Sequence, residues 1–245
     1  MRIGVVKHLN ARPLTYGIEK SKEHEVFYEN PSVLKDELLK GNLDTALISS
    51  VECLKNSSIL EYSNVVGVCA TGKVRSILFF ENLHEPQPKK IFVDWGSRSS
   101  VALLQVLFKR NYSFIPEVIP TNPTEIQEKI KIGLGSHLLF GDNALLAEYD
   151  PNKYKAIDLA EWWYQDTSLG FCFAFWAYPK TKPISDDLFF FSLEYGLKNL
   201  EEIISAEKRF SREMLETYLK QELHYLVRST DKAGFDLFAI EINSL

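Results

Sequence analysis

A chain of 245 residues with 45% hydrophobic and 25% charged residues holds enough apolar material for one large domain or for two lobes with a core each. Its formal net charge is -5 and it has no run of Lys or Arg, so a nucleic-acid partner, which needs a basic face to neutralise phosphate, is not expected. Cys53, Cys69 and Cys172 are odd in number, widely spaced and set among apolar neighbours. They read as small buried hydrophobes in a reducing compartment, not as a disulfide frame or a metal site. Ile3-Gly4-Val5-Val6 is too short for the apolar core of a signal peptide, and Lys7-His8 follows at once. The longest apolar stretch, 169–178, is about half a membrane span, so a cytoplasmic location without a membrane partner is expected.

In chain order, Ile3 to Val6 reads as a buried strand and His8-Leu9-Asn10-Ala11-Arg12-Pro13 as the loop after it. Pro13 suits the first turn of a helix that includes Leu14 to Ile18. Val26-Phe27-Tyr28 is a second strand. Asn30-Pro31 opens a helix whose Leu34, Leu38 and Leu39 share a face, and Gly41 stops it. The strand Thr45-Ala46-Leu47-Ile48 follows, ends at Ser49-Ser50, and gives way to a helix from Val51.

Shifted by 92 positions, the same signals return. Asn122-Pro123 opens a helix with Ile126 and Ile130 inward, Glu125 completes a capping box, and Gly133 stops it. Leu138-Leu139-Phe140 is a strand ending at Gly141-Asp142, and Asn143-Ala144-Leu145-Leu146 begins a helix. Two βαβ units of similar length thus each deliver a polar turn at the carboxyl end of a strand, where α/β sheets bind ligands. Gly72 to Phe80 predicts a strand that leaves one lobe and feeds the other, and Glu85 to Lys90 a solvated loop. The almost wholly apolar Leu169 to Ala177 predicts the return crossing.

From Pro183 to Leu245 the pattern reads as helical. Leu188, Phe191 and Tyr195 recur at helical spacing, as do Leu215, Tyr218 and Leu219. Ser229-Thr230-Asp231 suits the cap of a last helix containing Leu237 and Phe238. These aromatics read as core against the first lobe. The expected organisation is a discontinuous first lobe, 1–80 with 178–245, a second lobe, 81–177, and hinge strands near 74–80 and 171–177.

The chain is organised around Asp94-Trp95-Gly96-Ser97-Arg98-Ser99-Ser100-Val101. Ile91-Phe92-Val93 before it is a β-type run, and Val101 to Phe108 after it is a mostly buried helix. Hydroxyls and free backbone N–H groups converge here at the positive end of a helix dipole, where a carboxylate or phosphate is favoured. Ser99 alone could equally be an N-cap.

There is no GxxxxGK[ST] loop, no GxGxxG after a strand, no HExxH and no CxxC, and His8, His24, His84, His137 and His224 lack metal-ligand spacing. No metal, nucleotide or other cofactor is indicated. What remains is a set of neutral hydrogen-bonding groups at strand ends: Asn10, Ser49, Ser50, Ser76, Ser97, Ser99, Ser100, Asp142 and Asn143, with Gly141 in the same turn. Arg12, Arg75 and Arg98 are possible carboxylate partners, and His8 is either a site residue or surface loop. Together they suit a small organic anion held between two lobes.

His8 to Leu14, Ser49-Ser50-Val51-Glu52, Gly72-Lys73-Val74-Arg75-Ser76, Asp94 to Ser100, Gly141 to Leu145 and Ala174-Phe175-Trp176-Ala177 occur in that order. This string resembles the chorismate dehydratase family of the futalosine route to menaquinone. The resemblance runs to about Ala177. It implies an α/β fold like the type 2 periplasmic binding proteins, two lobes with a two-strand hinge and a ligand cleft. It implies a cofactor-free hydro-lyase that removes water from chorismate, a dicarboxylate, giving 3-[(1-carboxyvinyl)oxy]benzoate. On that resemblance Asn10 and Ser76 act at the reacting ring, and Ser49, Ser50, Arg75, Ser97, Ser99, Ser100, Gly141, Asp142 and Asn143 bind substrate. The proton acceptor is a substrate carboxylate, His8 or Asp142. The chain departs from the family pattern at Asn143 (commonly Asp), at Ala160 (usually Gly) and at Ser168-Leu169-Gly170 (typically Gly-Leu-Pro). The alternative is a non-catalytic binder of a small aromatic or cyclic carboxylate, which the same fold supports. A related enzyme acting on a later intermediate fits the His8–Leu14 loop less well, and no helix-turn-helix precedes the lobes of a would-be sensor.

Overall fold

The structure, a computed structural model, describes residues 1–245. In chain order the elements are β1 (Arg2–Val5), α1 (Arg12–Lys20), β2 (Glu25–Tyr28), α2 (Pro31–Leu39), β3 (Thr45–Ser49), α3 (Ser50–Lys55) and β4 (Leu60–Ala70). There follow β5 (Ile77–Asn82), β6 (Lys90–Asp94), α4 (Arg98–Tyr112), β7 (Glu117–Thr121), α5 (Pro123–Ile132), β8 (Ser136–Phe140), α6 (Gly141–Leu145), β9 (Tyr154–Asp158) and α7 (Leu159–Thr167). The chain ends with β10 (Phe171–Pro179), α8 (Asp186–Lys198), α9 (Leu200–Ala206), α10 (Arg212–Thr217), β11 (Leu223–Leu226) and α11 (Ser229–Ile242). No helix is long and apolar enough to cross a membrane.

These elements form two compact units, residues 1–70 with 172–231 and residues 71–171 with 232–245. The first holds a six-stranded sheet, β11-β4-β10-β3-β1-β2; the second holds a five-stranded sheet, β7-β6-β8-β5-β9. The offset of 92 is visible in both. β3-β1-β2 and β8-β6-β7 are parallel cores of the same order, and each is extended by one antiparallel strand, β10 on β3 and β5 on β8. The Asn-Pro openings and glycine stops bound their helices as expected, but the Asn30 side chain makes no cap bond and the capping box expected of Glu125 does not form. Asn122 accepts the Thr124 N–H at 2.9 Å, Pro31 and Pro123 occupy first-turn positions, and Gly41 and Gly133 end their helices at φ 76° and 80°. Glu125 pairs with Lys129 on the helix surface.

In the first unit α1 and α8 pack through glycines. A Cβ on Gly17 would lie 2.6 Å from the Ser192 Cα, and one on Gly196 would lie 2.0 Å from the Pro13 carbonyl oxygen. Ser192 Oγ uses that approach, donating to Leu14 O at 2.7 Å and accepting the Ile18 N–H at 2.9 Å. Trp176 of β10 stacks on Phe189 of α8 with ring centres 5.1 Å apart. The buried side of α8 is therefore Phe189, Ser192, Leu193 and Gly196, whereas Phe191 and Tyr195 face outward. The expected Leu188-Phe191-Tyr195 face is thus corrected: helical spacing marked a stripe, but close helix contact selected the stripe with the small residues.

Three further expectations are corrected. The 183–245 region is not wholly helical, because β11 closes the edge of the first sheet beside β4. The last helix packs in the second unit: Phe238 meets Phe171 and Trp163 edge-on at 4.7 and 6.1 Å, and Gly234 lies against the Gly170 carbonyl. Residues 232–245 hence do not belong with the first unit, and the chain passes between units at 70/71, 171/172 and 231/232. Finally, Gly72 to Ser76 is not strand. β5 begins at Ile77 and lies wholly in the second sheet, while β10 lies in the first.

Gly196→Ala should lower unfolding free energy by about 2–3 kcal/mol in denaturant titration, since the methyl would have to displace backbone. Asp44 gives a second expectation. Its carboxylate receives Lys182 Nζ and the Arg2 backbone N–H, each at 2.7 Å, and these hold its pKa down at about 2. A depressed carboxylate contributes stability that is fully present above its unfolded value near 4 and is lost as pH falls towards 2. Stability measured across pH 5 to 2 should fall along that limb, and Asp44→Asn should flatten it.

Candidate functional site

In the second unit the parallel strands β6 and β8 are neighbours, so the turns after them share one edge of the sheet. Because β5 runs antiparallel to β8, with Ile77 opposite Phe140, the start of β5 arrives at that same edge. This places Arg75 and Ser76, the 94–100 turn and Gly141-Asp142-Asn143 together. Gly141, at φ 57°, donates its N–H to Ser76 O at 2.7 Å.

The 94–100 turn is built by short polar contacts. Ser97, not Ser99, is the N-cap of α4; its Oγ accepts the Ser100 N–H at 3.2 Å and lies 2.6 Å from Ser100 Oγ. Ser99 and Ser100 are buried in the first helical turn. Buried Asp94 accepts the Gly96 N–H at 3.1 Å on one oxygen and the Asn143 amide at 3.1 Å on the other. Gly96 is required by space, since a Cβ would lie 2.8 Å from the Phe140 ring. The departure at position 143 now has a physical reading: an amide donates to Asp94 where a second carboxylate would repel it.

Ser76 is held by a strained turn. The Ser76 N–H bonds Val74 O at 2.7 Å across Arg75, which sits at φ 49°. Such a three-residue turn with positive φ is costly for a residue with a side chain. Asp158 offsets the cost. One of its oxygens accepts the Val74 and Arg75 N–H groups at 2.9 and 2.5 Å; the other caps α7 through Ala160 and Glu161 at 3.0 and 3.1 Å. Burial pushes this carboxyl up from its ordinary value, and the four N–H donors pull it the other way. Sequence reasoning missed Asp158 as part of the site. Its Asp-x-x-Glu pattern signals a helix cap, but nothing in it points to residues 74 and 75.

In the first unit Asn10 sits in a 3-10 turn, Leu9–Ala11, after β1, and Ser49 ends β3. β1 and β3 are parallel neighbours, so these residues share one edge. Ser49 caps α3, its Oγ accepting the Glu52 N–H at 3.4 Å, and Ser50 is fully buried beside it. Arg12 is not available to a ligand in the way its sequence position suggests: its guanidinium bonds both oxygens of Glu19, at 3.0 and 2.9 Å. His8 lies in a groove with Lys7, Tyr28, Glu29 and Asn30. Among the expected site residues, the Asn10 amide and the Ser76 hydroxyl are the two polar side chains that make no hydrogen bond to the protein.

Asn143→Asp should destabilise the protein by about 1–3 kcal/mol at pH 7, because two carboxylates would meet where one hydrogen bond now forms. The loss should shrink below about pH 5, where one of the pair takes a proton, and denaturation midpoints at pH 7 and 4.5 measure both.

A family model described as menaquinone biosynthesis matches residues 1–242. A chorismate dehydratase of Thermus thermophilus is 28% identical over 262 aligned positions, covering 97% of this chain and 93% of that protein. Among solved structures, a protein of Archaeoglobus fulgidus matches with TM-score 0.76 and 13% identity over 99% of this chain and 96% of that one. The periplasmic aliphatic sulphonate binding protein SsuA of Escherichia coli matches with TM-score 0.61 and 13% identity over 100% and 85%. At such identities the structural likeness establishes the fold, which is α/β and periplasmic-binding-protein-like. The match along nearly the whole sequence establishes more: the chain belongs to the menaquinone biosynthesis family.

Proposed function

We propose that this protein is a chorismate dehydratase, a hydro-lyase that converts chorismate to 3-[(1-carboxyvinyl)oxy]benzoate and water. The observation that carries the reading beyond the family is the pair of unengaged polar groups, the Asn10 amide and the Ser76 hydroxyl, each at the strand-end edge of its own sheet. Ser49, Ser97 and Asn143, by contrast, are engaged in capping a helix or joining two turns.

The reaction breaks one ring C–H bond and the ring C–OH bond. The C–H electron pair enters the ring, hydroxide departs, and proton and hydroxide leave as water. Aromatisation drives it, so the protein has only to orient the ring, to polarise the leaving hydroxyl and to allow one proton transfer. The family resemblance assigns the Ser76 hydroxyl and the Asn10 amide to the reacting ring as hydrogen-bonding groups, and neither is a base at neutral pH. The N-terminus of α4, with Ser97, Ser99 and Ser100, and the turn at Ser49-Ser50 suit the two substrate carboxylates, with Arg75, Gly141, Asp142 and Asn143 completing the set. A substrate carboxylate then takes the proton while the protein orients it, with His8 and Asp142 as the rival acceptors.

Purified protein mixed with chorismate, without added metal or nucleotide, should form an enolpyruvyl-oxybenzoate detectable by chromatography and ultraviolet absorbance. Ser76→Ala and Asn10→Asp should each lower turnover by about 10²-fold or more in folded protein. His8→Ala and Asp142→Asn should retain turnover within about threefold if the substrate supplies the base. Chorismate-dependent thermal stabilisation without product would instead identify a binding protein.

A further inference from the structure

Cys69, Cys172, His224 and Asp231 are far apart in sequence, with spacings that carry no metal motif, yet they meet in the first unit. The strands β11, β4 and β10 are consecutive in its sheet. His224 lies opposite Cys69, and the Cys69 and Cys172 sulfurs are 2.6 Å apart. Asp231, in the first turn of α11, accepts His224 Nε2 and the Arg228 backbone N–H on Oδ2, each at 2.8 Å. Cys69 Sγ, a His224 ring nitrogen and an Asp231 carboxylate oxygen all lie within 4.8 Å of one another. Both cysteines and Asp231 are almost wholly buried.

A second observation points to a ligand. Asp231 is 0% exposed, and its Oδ1 has no hydrogen-bond partner. A buried carboxylate oxygen left unpaired is costly, and a cation would recover that cost.

We propose that this cluster is a binding site for a thiophilic divalent metal ion, of which Zn²⁺ suits the donors best, with Cys69, Cys172, His224 and Asp231 as its four ligands. Two sulfurs, one imidazole nitrogen and one carboxylate oxygen are the donor types of tetrahedral zinc. Metal–ligand bonds of about 2.0–2.3 Å place such donors roughly 3.3–3.8 Å apart. Cys69, His224 and Asp231 lie within 4.8 Å of one another and Cys172 adjoins Cys69, so side-chain rotation that parts the two sulfurs by about 1 Å and draws the other donors inward closes the set. Each thiol gives up its proton to solvent as its sulfur–metal bond forms. In the metal-free state burial, with Cys172 and Asp231 nearby, holds the Cys69 thiol protonated. Four protein ligands leave no open position, so the site is structural. Its location suits that role, because the chain leaves or enters the first unit at 70/71, 171/172 and 231/232, each within two residues of a ligand. One ion would therefore pin β4, β10, β11 and the start of α11 where three crossings begin.

The test is titration of Co²⁺ into reduced, chelator-treated full-length protein, without air. One equivalent should bind, with thiolate-to-cobalt charge-transfer absorption and the intense visible bands of a tetrahedral ion, and Zn²⁺ should displace it. Cys69→Ser and Cys172→Ser should each remove the charge-transfer band or at least halve it, and Zn²⁺, but not Mg²⁺, should raise Tm. Binding without that band, or binding that survives Cys69→Ser unchanged, overturns the proposal. Should the serine variants fail to fold, alkylation of wild-type protein in mild denaturant decides. Zn²⁺ should slow modification of Cys69 and Cys172 at least about tenfold relative to Cys53. Equal labelling, or a Cys69–Cys172 disulfide that forms under peroxide as readily with Zn²⁺ as without, overturns it.

Discussion

Each parallel three-strand core carries an open edge, at β3 in one unit and β8 in the other, whose backbone N–H and C=O groups must be paired. In both units an antiparallel strand closes that edge, β10 on β3 and β5 on β8. The consequence is geometric. An antiparallel strand begins where its parallel neighbours end, so the residues leading into it arrive among the turns and helix N-termini that favour anions. Ser76 stands beside Gly141 for this reason, and the 2.7 Å bond from the Gly141 N–H to Ser76 O ties the two approaches together. The cluster of polar turns at this edge is a by-product of satisfying a sheet edge, sharpened by the residues that the strand entry carries.

That entry is strained, and its strain is balanced by one carboxylate. Asp158 sits on β9, next to β5 and opposite Leu78, and is the first residue the sheet can aim back at the 74–76 turn. One oxygen serves that turn and the other serves its own helix, so the same group fixes Ser76 and the start of α7. Asp94 does the equivalent at the neighbouring turns, joining Gly96 and Asn143 through its two oxygens. Two buried carboxylates thereby set the shape of the edge. The Ser76 hydroxyl is thus held in place from behind, by a carboxylate that bonds the backbone leading into it.

The parts of this organisation legible in the sequence are those with local signatures. The Asn-Pro openings, the glycine stops and the apolar runs between them are short-range, and their recurrence 92 residues later exposes the paired units. The Asp94–Ser100 stretch is legible because strand, polar turn and helix follow one another directly. Long-range pairings are not. Nothing local tells Asp158 from any helix cap, shows that Arg12 is committed to Glu19, or says that Asn143 faces Asp94. The C-terminal region misleads for a related reason. Helical spacing in α8 is satisfied by two stripes, and only the approach of Gly17 and Gly196 to their partner helices selects the one with Phe189 and Leu193. Phe238 is readable as core, but which core depends on the position of Phe171 and Trp163.

The two units share a plan but use the same position differently. In the second, the entry to the antiparallel strand carries Ser76, a hydroxyl left free of protein hydrogen bonds at the sheet edge. In the first, the entry to β10 carries Cys172, which is buried against Cys69 on the next strand. Both sheets carry a further strand beside the antiparallel one, β4 in the first and β9 in the second, and the first goes on to β11. The added strand sets His224 opposite Cys69, and Asp231 at the start of α11 bonds that histidine. A duplicated framework has thus kept a hydroxyl at this entry in one unit and a thiol at its counterpart in the other, both buried, and the second is where soft donors accumulate.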